Sequence, residues 1–145
     1  ELQSTKNVYR LGENISLRVS VRNRSDQMYS FVLGAPWLLT DLVVGDEHNT
    51  VVSPVTGKMA TRVLLAAREL TPGQAMVLSY QGNDNAVHDW TDIWFWGYRI
   101  ATPGDYTIAA IPMINGFQPT NNGMVNKFTT PYAIRSNVLH IRVTE

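Results

Sequence analysis

Trp90, Trp94, Trp96 and Tyr98 fall within nine positions of one another. In an extended segment a spacing of two puts Trp94, Trp96 and Tyr98 on one side, with Ile93, Phe95 and Gly97 on the other. The chemistry open to such a row is stacking on the C–H face of a sugar, or insertion into a pocket of a partner protein. The same rings can instead close one end of a core beneath a loop, because aromatic side chains carry large apolar area and are mostly buried. Core packing is the first expectation, partner-protein contact the second and carbohydrate binding the third.

A second candidate surface lies in 113–136. Its Asn-Gly-Phe, Pro-Thr-Asn-Asn-Gly and Thr-Thr-Pro-Tyr runs imply successive turns, and a connection of this length is commonly functional or holds further secondary structure. Asn115, Phe117, Asn121 and Asn122 are its candidate contact residues, with a bland excursion or a short strand near 125–129 as the other reading.

Other chemistry is poorly provided for. His48, His88 and His140 are scattered and form no HExxH or HxH pair, so the sequence carries no zinc signature. His48 reads as part of a turn, and His140 as a structural or solvent-facing residue of the terminal strand. No Ser occupies a GxSxG elbow, and neither a phosphate-binding Gly loop nor a dinucleotide fingerprint is present. The oxygen-rich run 83–89 with Asp92 has ligand types that suit Ca²⁺ but lacks the EF-hand's ordered spacing, so a solvated turn is the expectation. These residues point to a non-catalytic protein with no cofactor. Asn14-Ile15-Ser16 and Asn23-Arg24-Ser25 fit the N-glycosylation sequon, each at one end of a strand and open to solvent in principle.

The elements that must position these residues are strands. Ile15, Leu17, Val19 and Val21 alternate with Ser16, Arg18, Ser20 and Arg22, the pattern of a half-buried strand over 15–23. Further strands are expected at 28–33, 38–44, 50–52, 61–67, 75–80, 93–100, 106–112 and 138–143, short runs rich in β-branched or aromatic residues and bounded by Gly, Pro, Asn or Asp. The Ala, Leu and Arg content of 59–70 also suits a short helix, and strand is the reading adopted. Thr71-Pro72-Gly73 and Thr102-Pro103-Gly104 each precede a strand as type II turns, Pro presetting one dihedral and Gly accepting a positive φ. Regular short strands without convincing helices imply an all-β antiparallel β-sandwich with long loops. Tyr106, two positions before inward-facing Ile108, has the placing of a tyrosine corner, whose hydroxyl bonds upstream backbone.

Composition bounds the partners. The chain has 145 residues, 12 Lys plus Arg against 12 Asp plus Glu, and no Cys. That length suits a single domain, 1–145, with its own core. Zero net charge supplies no basic face for nucleic acid, and no apolar stretch approaches the ~20 residues needed to cross a bilayer as a helix. Neither nucleic-acid binding nor membrane insertion by this chain is expected. It starts at Glu1 with strand-like sequence, which reads as a mature form or an excised domain.

Several motifs occur together in a telling order: Asn23-Arg24-Ser25-Asp26 after the alternating strand, Asp41-Leu42-Val43-Val44-Gly45-Asp46 leading to Val51-Val52, then Leu70-Thr71-Pro72-Gly73-Gln74 and Pro103-Gly104-Asp105-Tyr106. In this order the chain resembles bacterial immunoglobulin-like domains of the intracellular proteinase inhibitor type, although 81–101 and 113–136 depart from that pattern. The resemblance implies an immunoglobulin-like sandwich. The functional expectation is a non-catalytic module of a larger or surface-associated extracytoplasmic bacterial protein, which contacts another protein or acts as a spacer. A carbohydrate-binding module using the Trp90, Trp94, Trp96 and Tyr98 group, or a protease inhibitor by resemblance, are the alternatives.

Overall fold

A computed structural model of the protein describes residues 1–33, 35–59, 66–112, 118–119 and 136–145. Its strands are β1 (Leu2–Ser4), β2 (Val8–Arg10), β3 (Ser16–Arg22), β4 (Tyr29–Leu33), β5 (Thr40–Gly45), β6 (Val51–Val52), β7 (Ala66–Leu70) and β8 (Ala75–Val77). They continue with β9 (Tyr80–Gln81), β10 (Val87–His88), β11 (Thr91–Asp92), β12 (Gly104–Pro112), β13 (Gln118–Pro119) and β14 (Leu139–Thr144). A short helix α1 (Pro36–Leu39) and a 3₁₀ turn (Ile93–Trp96) interrupt the series.

The fold is all-β, with several sheets that, among the described residues, are antiparallel throughout except at one pairing. The largest runs β2-β14-β12-β5-β6, and its β2–β14 pair is parallel. In a second sheet β3 pairs with β1 along one edge, and with β11 and β8 along the other. β4 lies between β13 and β7, and β9 pairs with β10 in a hairpin.

The alternation of β3 has the expected result. Ile15, Leu17 and Val19 are buried, and Val21 packs against the same cluster. Leu42 and Val44 of β5, Ile108 and Ala110 of β12, and Ile141 and Val143 of β14 obey the same period and join that one cluster. Tyr106 is buried, and its hydroxyl donates to the Thr102 carbonyl 2.9 Å away, the upstream bond expected of it. His140 faces outward on β14, and His48 lies in the turn between β5 and β6.

Three expected strands are altered. Residues 36–39 are helical, because Pro36 presets the first-turn dihedral and Thr40 ends the helix, its hydroxyl donating to the Pro36 carbonyl at 2.7 Å. The run 75–80 is divided between β8 and β9, where the Ser79 hydroxyl donates to Asp89 at 2.7 Å. Residues 93–96 form a 3₁₀ turn instead of opening a strand. Of the expected 61–67 strand, 61–65 lie outside the described residues, and β7 covers Ala66–Leu70. Gly73 has φ 80° and the Gln74 amide donates to the Thr71 carbonyl, as a type II turn requires. The second triplet differs: Gly104 has φ 155° and opens β12 directly.

Candidate functional site

Local chemistry turns the aromatic segment away from strand geometry. The Asp92 carboxylate accepts the Trp94 amide at 2.8 Å, capping the start of the 3₁₀ turn. Gly97, at φ 87°, ends it in the left-handed region, and its amide donates back to the Ile93 and Trp94 carbonyls. With about three residues per turn, positions 93 and 96 share a face. Ile93 and Trp96 therefore both enter the core, and Trp94 is directed outward.

The expected single row of Trp94, Trp96 and Tyr98 is thus corrected. Trp96 is 2% exposed, and its indole N–H donates to the Thr40 carbonyl and hydroxyl, each at 3.1 Å. Tyr98 is 8% exposed, and its hydroxyl donates to the Leu42 carbonyl at 2.7 Å. Both rings pack in the core, and a buried indole or phenol needs such a polar partner. Phe95 lies half-buried against Trp37, at 4.4 Å between centroids, and Tyr80, at 5.5 Å. Trp94 and Trp90 remain open, at 40% and 39% exposure. Asn115, Phe117, Asn121 and Asn122 lie outside the described residues.

Trp94 borders a cleft of about 230 Å³ whose other walls include Arg10, Glu13, Asn14, Asp92 and Arg99. The fold brings these residues together from opposite parts of the chain. The Ile93 amide donates to the Ile15 carbonyl at 3.0 Å, which sets the 3₁₀ turn against the segment leading into β3. β2 supplies Arg10, and Arg99 follows the anchored Tyr98. No motif in the sequence links residues 10–14 to 92–99, so nothing in the chain's pattern marks this grouping. The sole local hint was Asp92 and Gly97 on either side of the turn, a cap and a stop.

The carboxylates of the cleft already have partners. Glu13 is paired with Lys6 and accepts the Arg10 amide at 2.9 Å, and the Lys6 contact leads in holding its carboxyl below the usual range. Burial pushes the Asp92 carboxyl above the usual aspartate range, with the Trp94 amide pulling the other way. A raised folded-state pKa means the folded protein holds the proton more tightly than the unfolded chain. The associated stability is complete below the ordinary aspartate value and is lost as pH rises through the raised one. Asp92→Asn keeps an oxygen for the Trp94 amide and removes this loss. The variant should therefore gain stability over the parent as pH rises from about 3 to about 7. Urea midpoints that stay parallel across that range would disprove it.

The oxygen-rich run disperses its carboxylates. Asp84 lies 3.2 Å from His88, Asp89 accepts from Ser79, and Asp92 caps the turn. No group of three His, Cys, Asp or Glu suited to a metal occurs among the described residues. The two sequons also separate. Asn14 is exposed at the cleft, whereas Asn23 is buried and its side-chain amide donates to the Gln27 and Leu70 carbonyls, which removes the accessibility expected of it. No helix among the described residues is long and apolar enough to cross a membrane. Comparison with protein-family models gives no match to the chain, and comparison with curated proteins gives none either.

Proposed function

We propose that the chain is a non-catalytic, immunoglobulin-like β-sandwich module that contacts another protein through the Trp94 cleft. The observation that carries this reading is the exposure of Trp94 at the rim of a cleft that also holds Arg10 and Arg99. Trp and Arg are the residues most enriched where truncation weakens protein–protein binding. Trp94 keeps far more of its indole open than Trp96, two residues on, which is almost wholly covered. The sandwich reading draws support from the two main sheets contributing to one buried cluster and from the Tyr106 corner bond.

Photo-crosslinking tests the proposal. Benzoylphenylalanine is placed at Trp94 in the full chain, and at His140, outward on β14, as a control. The expected result is a discrete adduct from position 94 alone. The protein so identified should bind the purified chain, with Trp94→Ala weakening it at least tenfold, the order expected of a central aromatic contact. Binding unchanged by Trp94→Ala would overturn the reading in favour of a spacer. A second reading, carbohydrate binding, draws on the same exposed indole beside the Asn14 amide and two guanidinium groups, which offer a stacking face and hydrogen-bond donors. Sugar-dependent change in tryptophan fluorescence, abolished by Trp94→Ala, would favour it.

A further inference from the structure

The charged groups lining the cleft differ in what they have left to offer. Glu13 is held by Lys6 and by the Arg10 amide, and Asp92 is turned to the Trp94 amide. The guanidinium groups of Arg10 and Arg99 make no hydrogen bond or ion pair among the described residues, and Arg10 acts on Glu13 only as a nearby charge. Arg142 shows the alternative, forked onto both oxygens of Asp105 at 2.7 and 2.9 Å.

We infer that the cleft receives a carboxylate side chain from an acidic peptide segment of the partner, gripped by Arg99 and Arg10 with Trp94 alongside. This rests on the reading of the cleft as a protein-contact surface. A guanidinium fork matches a carboxylate with two parallel hydrogen bonds, and an adjacent indole covers the aliphatic stem of the incoming residue. The backbones carrying both arginines are fixed. Arg10 pairs with Thr144 across β2 and β14, and Tyr98, next to Arg99, is tied to Leu42 by its hydroxyl and to Ile93 by its amide. Both arginines therefore leave from fixed backbone positions, and only their side chains remain to be ordered on binding. A chain of zero net charge has no general attraction for polyanions, so acidic-peptide binding would report on this local pair.

The test titrates the purified chain with N-acetylated, C-amidated hexaglutamate and, separately, hexaglutamine, followed by calorimetry and tryptophan fluorescence. Hexaglutamate should bind and quench, and hexaglutamine should not. Arg99→Gln and Arg10→Gln should each weaken hexaglutamate binding about tenfold, the order of a charged hydrogen-bonded contact. Arg68→Gln, an exposed arginine on β7, should leave it unchanged. Thermal midpoints are measured for all three variants, so that unfolding is not mistaken for lost binding.

Three results would overturn the inference: no hexaglutamate binding by the folded chain, an equal loss in all three variants, or tighter binding of tetragalacturonate than of hexaglutamate. The first, found together with Trp94-dependent binding of the crosslinked protein, would leave the module reading standing. Partner binding indifferent to Trp94→Ala would remove that reading, whatever the peptide titration gives.

Discussion

Trp96→Ala should destabilise the protein by about 3–5 kcal/mol, the range for removing a buried tryptophan from a packed core. The side chain is 2% exposed, and its N–H serves both oxygens of Thr40, itself buried. Truncation therefore leaves a cavity together with buried acceptors that have lost a donor. Trp94→Ala, at 40% exposure, should cost clearly less, about 1–2 kcal/mol. Urea unfolding of the two variants reads the contrast directly. A strand at 93–98 would put both rings on one face and make their effects alike, so similar midpoints would refute the 3₁₀ register.

Gly97→Ala should cost at least about 3 kcal/mol, well beyond the 1–2 kcal/mol of left-handed backbone alone. Gly97 has φ 87°, and a Cβ built there would fall 2.1 Å from the Thr56 carbonyl oxygen. That oxygen belongs to backbone held in place, since the Val55 and Thr56 amides both donate to the Gly97 carbonyl. Neither side can yield without breaking the contact between segment 55–57 and the end of the aromatic turn. Gly73 is the natural control. Its φ is 80°, yet nothing lies within 4 Å of a Cβ there, so Gly73→Ala should cost only about 1–2 kcal/mol. Equal losses in thermal and urea stability would mean that the close approach to Thr56 is immaterial.

Strand periodicity was readable wherever one face is buried and the other is not. β3 and β14 announce themselves because apolar and polar side chains take turns along them, and β12 does so over its first half, up to Ile108. The aromatic segment defeats the same reading. From Ile93 to Tyr98 every residue but Gly97 is apolar or aromatic, so no polar face marks a period and a spacing of two imitates a strand. The decision lay with Asp92 and Gly97, whose cap and left-handed stop outweigh the β-propensity of the rings between them. Tyr106 was legible for the opposite reason, its bond partner Thr102 being only four residues away. The cleft was out of reach because it depends on pairing between distant segments. Arg10 and Asn14 meet Trp94 and Arg99 only once β3 has paired with β11, and neither stretch carries a mark of the other.

The parallel β2–β14 pair bears on how the chain is made. β12, with strands on both sides, stands between β5 and β14, so one of its edges stays open until β14 has been synthesised. Residues 2–7 face the same delay: Leu2 exchanges hydrogen bonds with Asn137, and the Asn7 carbonyl accepts the Arg142 amide. During vectorial synthesis the nascent protein carries an open strand edge until β14 emerges, a state prone to pairing with other chains. Completion of the sheet is therefore a single late event that joins residues 2–10 to residues 137–144, and a nascent chain halted before β14 would be the form most in need of a chaperone.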